Sequence, residues 1–332
     1  MAIILAIESS CDDTSAAIIR DGQVLSNCTN VQEAHRLYGG VVPEVASRQH
    51  LIHIVPIVNA AMQEAGVDFA DLSAIAFTKG PGLLGSLLVG VSFGKGLAAT
   101  LGIKMIEVHH MHAHILSHFA GEQKPKFPFL CLTVSGGHTQ IVLVKAYNQM
   151  EVMGTTIDDA AGEAFDKVGK MLGLPYPAGP LIDTYAAKGN AVFEFAKPMV
   201  KDYDFSFSGF KTSVLYFLQK KVKEDADFIP KNLEDLCCSV QTSIVDILMK
   251  KLKKASDDTG IHEIAIAGGV AANSGLSAAL RKNALEQSWN VYIPELQYCT
   301  DNAAMIGIAG YYKYLDGIFA DMNVSPDAKY AF

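Results

Sequence analysis

The chain has 332 residues, of which half are apolar and 19% are charged, and its formal net charge is −8. This composition is typical of a globular protein that is large enough for two domains with separate cores. The acidic balance argues against strong binding to nucleic acid or to anionic membranes by this chain alone, because basic patches drive both.

The N-terminal residues lack the basic region and the small-residue cleavage site of a signal peptide. Six cysteines occur without C-x-x-C spacing, which argues against a disulfide scaffold or a zinc ribbon and fits a reducing cytoplasm. The most apolar stretch, 83–103, is interrupted by Gly85, Gly90, Gly94, Lys95 and Gly96. We therefore expect a packed helix there rather than a membrane span.

Two stretches, 3–20 and 129–145, share one plan: an apolar run, a small polar turn and a second apolar run. Each predicts a β-hairpin whose turn is rich in Ser, Gly, Thr and Asp. They lie about one domain length apart. The pair indicates an internal duplication of a domain that opens with a hairpin, with chance likeness of two hairpins as the alternative.

Strands and helices alternate through the rest of the chain. The apolar runs 72–78 and 263–267 each precede glycines and a helical pattern, and a shorter run begins at Val291. Long helical patterns cover 46–65, 160–172, 233–255 and 302–315. This alternation predicts an α/β architecture. The proline-containing stretch 122–128 is the best linker candidate, so we expect domains at 1–127 and 128–332.

Three glycine turns are candidates for binding an anion. V-S-G-G-H-T (134–139) and A-G-G-V-A-A-N (267–273) each follow a strand, and G-P-G-L-L-G (80–85) is the third. Paired glycines let backbone N–H groups approach a phosphate closely. The Walker motif and the dinucleotide fingerprint are both missing. Any one turn could simply be tight, but together they favour a nucleotide cleft between two related domains.

Five of the ten histidines fall within residues 109–118. His110 and His114 are four apart, so on a helix both rings lie on one face and could share a metal. His114 and His118 have the same spacing, so spacing leaves two pairs open. Met111 stands where a zincin peptidase has its glutamate, which argues against a water-activating peptidase.

A carboxylate would complete such a metal site. Asp301 is one candidate, although its place before a helical pattern also suits an N-cap. The other is a cluster at roughly helical spacing, which has a solvated helix start as its simpler explanation. Its members are Asp158, Asp159, Glu163 and Asp166. Spacing does not choose between the two candidates.

Ten motifs occur in a fixed order between residues 8 and 306. They are E-S-S-C-D-D-T, Y-G-G-V-V-P-E-V-A-S-R, G-P-G-L-L-G, H-H-M-H-A-H, V-S-G-G-H-T, D-D-A-A-G-E-A-F-D-K, Y-P-A-G-P, F-S-F-S-G-F-K-T, A-G-G-V-A-A-N and C-T-D-N-A-A-M-I. The ordered set closely resembles the bacterial tRNA threonylcarbamoyladenosine-synthesis transferase family, formerly called the glycoprotease family. The likeness covers nearly the whole chain.

The resemblance implies the actin-like ATPase fold, with two ribonuclease-H-like domains around a nucleotide cleft. It implies transfer of threonylcarbamoyl from threonylcarbamoyl-AMP to N6 of adenine 37, in tRNAs that read codons beginning with A. It also implies one metal per subunit, usually iron with zinc as a replacement. Motif matching gives His110, His114 and Asp301 as its ligands.

Motif matching also implies the substrate contacts. The acyl-phosphate part should meet Thr133, Val134, Ser135, Gly136 and Gly137. The adenosine part, or ATP or ADP in its place, should be held by Asp166, Gly179, Asp183 and Asn273. Asp12 is a candidate for orienting groups or accepting a proton. Two positions depart from many relatives: His112, where they carry an acidic residue, and Asp13, where they carry Glu.

The resemblance implies a paralogous dimerisation partner, a small ATPase subunit and a separate synthase that supplies the adenylate, all cytoplasmic. Such help suits an acidic protein that must bind tRNA. The basic stretches 220–223 and 250–254 could meet phosphates or be solvated helix faces. Alternative functions are a phosphoryl transferase, which would hold Mg²⁺ on carboxylates, and a nucleotide-binding scaffold subunit, which would not need the metal motif.

Overall fold

The structure is a computed structural model that describes residues 1–32, 35, 38–198 and 200–332. Its contacts divide the chain into two compact units. The first unit is Met1–Lys124 together with Pro294–Phe332, and the second is Pro125–Ile293. The predicted boundary near residue 127 lies close to the first division. The predicted second domain, 128–332, includes a C-terminal segment that the structure places in the first unit.

The described residues form strands β1 (Ile3–Glu8), β2 (Thr14–Arg20), β3 (Gln23–Asn30), β4 (Ala74–Gly80), β5 (Lys104–His109), β6 (Phe129–Val134), β7 (Thr139–Ala146), β8 (Gln149–Thr155), β9 (Glu263–Ala267) and β10 (Asn290–Tyr292). The α-helices are α1 (Pro43–Ala65), α2 (Leu84–Leu101), α3 (His110–Leu116), α4 (Ala161–Met171), α5 (Gly179–Ala186), α6 (Ser208–Glu224), α7 (Phe228–Lys231), α8 (Leu233–Thr259), α9 (Ser274–Gln287), α10 (Leu296–Cys299) and α11 (Ala303–Leu315). The four long helical patterns predicted from the sequence correspond to α1, α4, α8 and α11.

The first unit is built on a sheet in the order β3-β2-β1-β4-β5. β1 pairs antiparallel with β2 and parallel with β4, so it lies at the centre and is buried along its whole length. Leu5 and Ile7 on one face belong to the core that includes α1 and α2. On the other face, a Cβ added at Gly307 of α11 would lie 3.1 Å from the Ala6 Cβ. This close packing of α11 is why the C-terminal segment belongs to the first unit.

The second unit repeats the same plan in the order β10-β9-β6-β7-β8. β6 pairs antiparallel with β7 and parallel with β9, just as β1 pairs with β2 and β4. Read from β8 to β10, this sheet has three antiparallel strands followed by two parallel ones. The first sheet has the same arrangement when it is read from β3 to β5. The repeated topology agrees with the predicted internal duplication.

The apolar stretch predicted to be a packed helix is α2. By length and composition alone it could cross a membrane, but core helices of this kind pass the same test. Small residues on α2 let it approach the sheet: a Cβ at Gly94 would lie 2.7 Å from Phe77, and one at Gly90 would lie 2.4 Å from the Ser9 Oγ. These contacts make α2 part of the packed first unit.

Candidate metal centre and nucleotide loops

Two histidines and one aspartate converge in the first unit. His110 and His114 lie one turn apart on α3, and Asp301 lies just before α11. One ligand atom from each falls within 4.8 Å of the other two. The Asp301 Oδ1 is 3.1 Å from the His114 Nε2 and 3.6 Å from the His110 Nε2. His109 caps the helix, since its Nδ1 accepts the backbone N–H groups of Met111 and His112.

The structure distinguishes the two histidine pairs. His118 is buried in the short helix after α3 and lies outside the cluster. It also shows that Asp301 is not the N-cap of α11. The side chain of Asn302 fills that role by accepting the backbone N–H of Met305. Spacing alone left the choice of ligands open, and the structure brings together His110, His114 and Asp301.

The acidic residues that competed with Asp301 lie in the second unit and have other partners. Asp158 accepts the backbone N–H groups of Phe207 and Ser208, at the start of α6. Asp159 forms ion pairs with Lys167 and Lys211. Three of these contacts tie the start of α4 to the start of α6, and the ion pair with Lys167 lies within the α4 segment, so Asp158 and Asp159 have a structural explanation.

The donor set suits a divalent metal. Two imidazoles and one carboxylate leave coordination positions for water or substrate, and this combination is typical of catalytic zinc and of non-haem iron. Both rings are buried, whereas Asp301 is partly exposed. Burial lowers the pKa of His110, but the charges of Asp301 and Glu8 outweigh it and raise the pKa to about 9. A metal ion would take the place of that proton.

The unusual His112 is not part of this cluster. Its ring stacks on His109 at a centroid distance of 4.4 Å and meets Phe332 edge-on at 4.5 Å. Its Nε2 is buried without a hydrogen-bond partner among the described residues. Burial, aided by the charge of Lys313, lowers the pKa of His112 to about 4. The ring is therefore neutral at pH 7 and acts as an apolar packing group.

The S-G-G-H loop of the second unit is held rigidly. Ser135 donates its backbone N–H to the His138 carbonyl at 2.8 Å, and the His138 N–H donates to the Ser135 Oγ at 3.1 Å. From the start of α4, the Gly162 N–H donates to the Ser135 carbonyl at 3.2 Å. Thr133 and Val134, at the end of β6, are fully buried. Gly136 and Gly137, next to Ser135, lie where an added Cβ would meet nothing within 4 Å.

The other residues predicted to bind the nucleotide are connected to one another by hydrogen bonds between α4, α5 and the start of α9. Asp166 of α4 accepts the Gly179 N–H at 3.3 Å, and Asp183 of α5 accepts both the backbone N–H and the hydroxyl of Ser274. The preceding residue, Asn273, accepts a backbone N–H of α9 and donates its amide to Gln241 on α8. The structure therefore connects these residues to one another, with most of their polar atoms used in bracing the loops.

Comparison with known proteins identifies the family. The model for the TsaD family, described as tRNA N6-adenosine threonylcarbamoyltransferase, matches residues 23–308. The chain belongs to this family. Curated transferases of this name are 58% identical in Christiangramia forsetii, over 99% of this chain and 98% of the relative, and 48% identical in Thermosipho africanus, over 97% of each.

Solved structures agree with the actin-like ATPase fold. Component A of the (R)-2-hydroxyglutaryl-CoA dehydratase of Acidaminococcus fermentans matches with a TM-score of 0.55 at 13% identity, over 95% of this chain and all of the other. HypF of T. kodakarensis matches with a TM-score of 0.60 at 14% identity, over 96% of this chain and 48% of the other. At these identities the likeness concerns the fold alone.

Glu8 of this threonylcarbamoyltransferase lies beside the cluster and was not predicted from the sequence. This residue ends β1 fully buried, and its carboxylate contacts Thr78, Ser10 and His110. Burial would raise its pKa, but His110 and the hydrogen bonds lower it below the ordinary value. The available signal was a glutamate at the end of a wholly apolar strand, because a buried carboxylate requires partners.

The loop after Glu8 carries the catalytic candidate Asp12. His50 of α1 holds this loop in place: its Nδ1 is 2.7 Å from the Thr14 Oγ1, and its Nε2 is 3.0 Å from the Cys11 carbonyl. Asp12 and Asp13 are both half-buried. The Asp13 Oδ1 has no hydrogen-bond partner among the residues that the structure describes.

Asp13→Asn should change how stability depends on pH. Burial, together with the charges of Asp12 and Asp301, raises the Asp13 pKa to about 7, against roughly 3.9 in an unfolded chain. The folded state then binds more protons than the unfolded state between about pH 4 and 7, so stability falls as pH rises through this window. Removing the charge should stabilise the metal-free protein at pH 8 by about 2 kcal/mol, well below the full pKa difference because the group is partly exposed.

Urea unfolding of chelator-treated wild type and variant at pH 5 and pH 8 measures this effect. The gain should be largest at pH 8 and about one third as large at pH 5, because pH 5 lies between the unfolded and folded pKa values of Asp13. A difference that is equal at both pH values would show that Asp13 does not titrate in this range.

Proposed function

We propose that this chain transfers the threonylcarbamoyl group of threonylcarbamoyl-AMP to N6 of adenine 37 in tRNAs that read codons beginning with A. Family membership supports the reaction, and the His110–His114–Asp301 cluster is the structural observation that favours a catalytic subunit. In the transfer, N6 forms a bond to the carbonyl carbon. The bond from that carbon to the phosphate oxygen breaks, AMP leaves with the electron pair, and the amine loses a proton.

The loops of the second unit would bind the adenylate. The backbone of Gly136 and Gly137 is open to a close approach by phosphate oxygens. Their N–H groups would then stabilise the negative charge that develops on the departing phosphate. Asp183, next to the start of α9, would accept a hydrogen bond from the adenosine portion, because a carboxylate has more acceptor sites than its bonds to Ser274 use.

The cluster of the first unit would hold the metal. A divalent metal bound by His110, His114 and Asp301 would supply Lewis-acid polarisation of the carbonyl. We propose Fe²⁺, with Zn²⁺ as a replacement, because imidazole and carboxylate ligands suit both. Asp12 would orient the reacting groups or accept the proton from the amine. Its half-buried place in a loop that His50 holds is consistent with that role.

We also propose a paralogous partner, a small ATPase subunit, a separate synthase and a cytoplasmic location. All six cysteines are free, which suits a reducing compartment. At least two of the four lysines in the basic stretch 250–254 already have partners within the chain. Lys251 is buried and donates to three backbone carbonyls, and Lys254 pairs with Asp258. A tRNA site on a complex therefore fits this acidic chain better than a site on these lysines.

We propose that the paralogous partner would bind to α1 and α2, which pack together. α1 exposes Leu51, Ile52 and Val55, and α2 exposes Leu84 and Leu88. We call these five residues the aliphatic face. Several exposed aliphatic side chains on two neighbouring helices are typical of a protein interface.

Ile52→Asp/Leu88→Asp should abolish copurification with the paralogous partner, since two charges would be buried at the contact. Metal content and thermal stability should remain near wild type because both side chains are exposed. Leu285→Asp is the matched control, as Leu285 is 89% exposed in the second unit. Partner binding that survives the double substitution, or self-association through this face in gel filtration, would contradict the assignment.

Reconstitution tests the proposed function. Purified chain, partner subunits, synthase, ATP, bicarbonate, threonine and unmodified tRNA are incubated, and the digested tRNA is analysed by mass spectrometry for threonylcarbamoyladenosine. Product that requires this chain supports the transferase. Nucleotide binding by the chain without product, although the partners are active, would favour the scaffold subunit instead.

A further inference from the structure

Glu8 contacts His110 on the side of the ring that points away from Asp301. Its Oε2 is 3.2 Å from the His110 Nδ1, the ring nitrogen opposite the one that faces Asp301. The same oxygen accepts the hydroxyl of Thr78 at 2.6 Å, while Oε1 accepts the backbone N–H of Ser10. Glu8 and Thr78 are at most 1% exposed. The carboxylate is therefore fixed by three hydrogen bonds out of contact with solvent.

The backbone around Glu8 is equally constrained. β1 pairs with β4 in a register that brings Thr78 beside the carboxylate. A Cβ at Gly82 would lie 2.4 Å from the Ser10 carbonyl, and Leu83 donates its N–H to that carbonyl at 2.7 Å. The glycine turn after β4 thus holds the loop that follows Glu8. Little freedom remains for the carboxylate to move away from His110.

The two histidines of the cluster differ in their second nitrogen. His110 has Glu8 and, at 3.1 Å, the Ser10 Oγ next to its Nδ1. The His114 Nδ1 is buried with no hydrogen-bond partner in the described part of the chain. A histidine that donates Nδ1–H to a carboxylate presents Nε2 with its lone pair available, in a fixed ring orientation. Only His110 has such a support.

We infer that Glu8, clamped by Thr78, is a positioning residue that fixes His110 with Nε2 directed at the metal. The inference rests on the proposed metal-binding role of the cluster. His110 is then the ligand of the cluster whose ring orientation is fixed by contacts behind it. Glu8 contacts neither the substrate nor the metal in this assignment and acts through His110.

Metal affinity tests the inference directly. Metal-free wild type, Glu8→Gln and Thr78→Val are titrated with Co²⁺ in competition with a chelator, and the visible spectrum of bound Co²⁺ reports ligand geometry. Glu8→Gln should bind about 10- to 100-fold more weakly, the usual cost of losing a hydrogen bond behind a metal-bound histidine. Thr78→Val keeps the Glu8 charge and the Ser10 contact, so it should bind about 3- to 10-fold more weakly. If Glu8→Gln does not fold, the metal affinity of Thr78→Val alone tests the role of Glu8.

Two comparisons separate positioning from a general structural role. Ser10→Ala removes the other neighbour of the His110 Nδ1 and should change affinity by less than about 3-fold, well below the loss expected for Glu8→Gln. In a His110→Ala background, Glu8→Gln should cause no further loss of metal affinity, because the two residues act as one unit. Equal losses with and without His110 would overturn the inference.

The outcomes also separate this inference from the proposed function. Wild-type affinity in both Glu8→Gln and Thr78→Val would refute the role of Glu8 and leave the metal site standing. If wild type itself binds no Co²⁺, Zn²⁺ or Fe²⁺ at the cluster, the proposed metal role fails and the inference fails with it. Threonylcarbamoyladenosine formation that recovers in Glu8→Gln at high metal concentration would be the expected counterpart in activity.

Discussion

His110→Ala/His114→Ala should lose its metal and almost all transfer activity. The two substitutions remove both imidazoles and leave Asp301 as the only member of the cluster, and one carboxylate does not retain a divalent metal at micromolar concentration. Losing several kcal/mol of carbonyl polarisation corresponds to a fall of roughly 10²- to 10³-fold in threonylcarbamoyladenosine formation. Metal analysis of the purified protein and single-turnover assays measure the two losses.

The controls for this prediction lie within the same motif and in the other unit. His112→Phe should keep both metal and activity, because its ring is neutral and packed against His109 and Phe332. Adenine nucleotide binding by the double variant should remain within about 2-fold of wild type, since the nucleotide loops belong to the second unit. Transfer that persists at the wild-type rate without metal would reduce the two histidines to a structural role. Loss of metal in His112→Phe would show that His112 contributes to metal binding.

The sequence predicts the repeated core of the fold because apolar runs and turn glycines carry a strong local signal. β1, β2, β6 and β7 appear as two matched hairpins for this reason. The strand that follows each hairpin, β3 after β2 and β8 after β7, was not predicted. Both are edge strands with mostly exposed or half-buried residues, so their pairing partners rather than their own hydrophobicity define them.

The domain division was harder to predict because it depends on long-range packing. Proline and charge near residue 125 mark one boundary, but no local feature shows that the chain returns to the first sheet after β10. That return depends on Gly307 fitting closely against Ile19 and Ala6. In the same way, spacing left two histidine pairs and two carboxylate candidates open, so the set His110, His114 and Asp301 followed only from the family resemblance. The role of Glu8 required the structure, since its partner is about a hundred residues away in sequence.

Gly162→Ala should weaken nucleotide binding, because the added methyl group would collide with the backbone of the S-G-G loop. An added Cβ would lie 2.6 Å from the Ser135 carbonyl oxygen and 2.9 Å from the Gly136 N and Cα, all of them backbone atoms. The S-G-G loop or α4 must therefore shift, and the hydrogen bond from the Gly162 N–H to the Ser135 carbonyl is strained. We expect adenine nucleotide affinity to fall about 10- to 100-fold and stability by about 1–3 kcal/mol, the usual cost of overpacking.

Gly136→Ala, in the same loop, separates binding from stability. Its Cβ would meet nothing within 4 Å, so the free energy of unfolding should stay at or slightly above the wild-type value. Nucleotide affinity should nevertheless fall about 10-fold, because the methyl group occupies the space that a phosphate needs. Gly96→Ala, with the same open surroundings inside helix α2, should leave nucleotide affinity unchanged and raise the free energy of unfolding by about 0.4–1 kcal/mol. Isothermal titration with ADP and urea unfolding give both numbers. Unchanged binding in Gly136→Ala would mean that the phosphate does not approach this backbone, whereas unchanged binding and stability in Gly162→Ala would mean that the loop tolerates displacement.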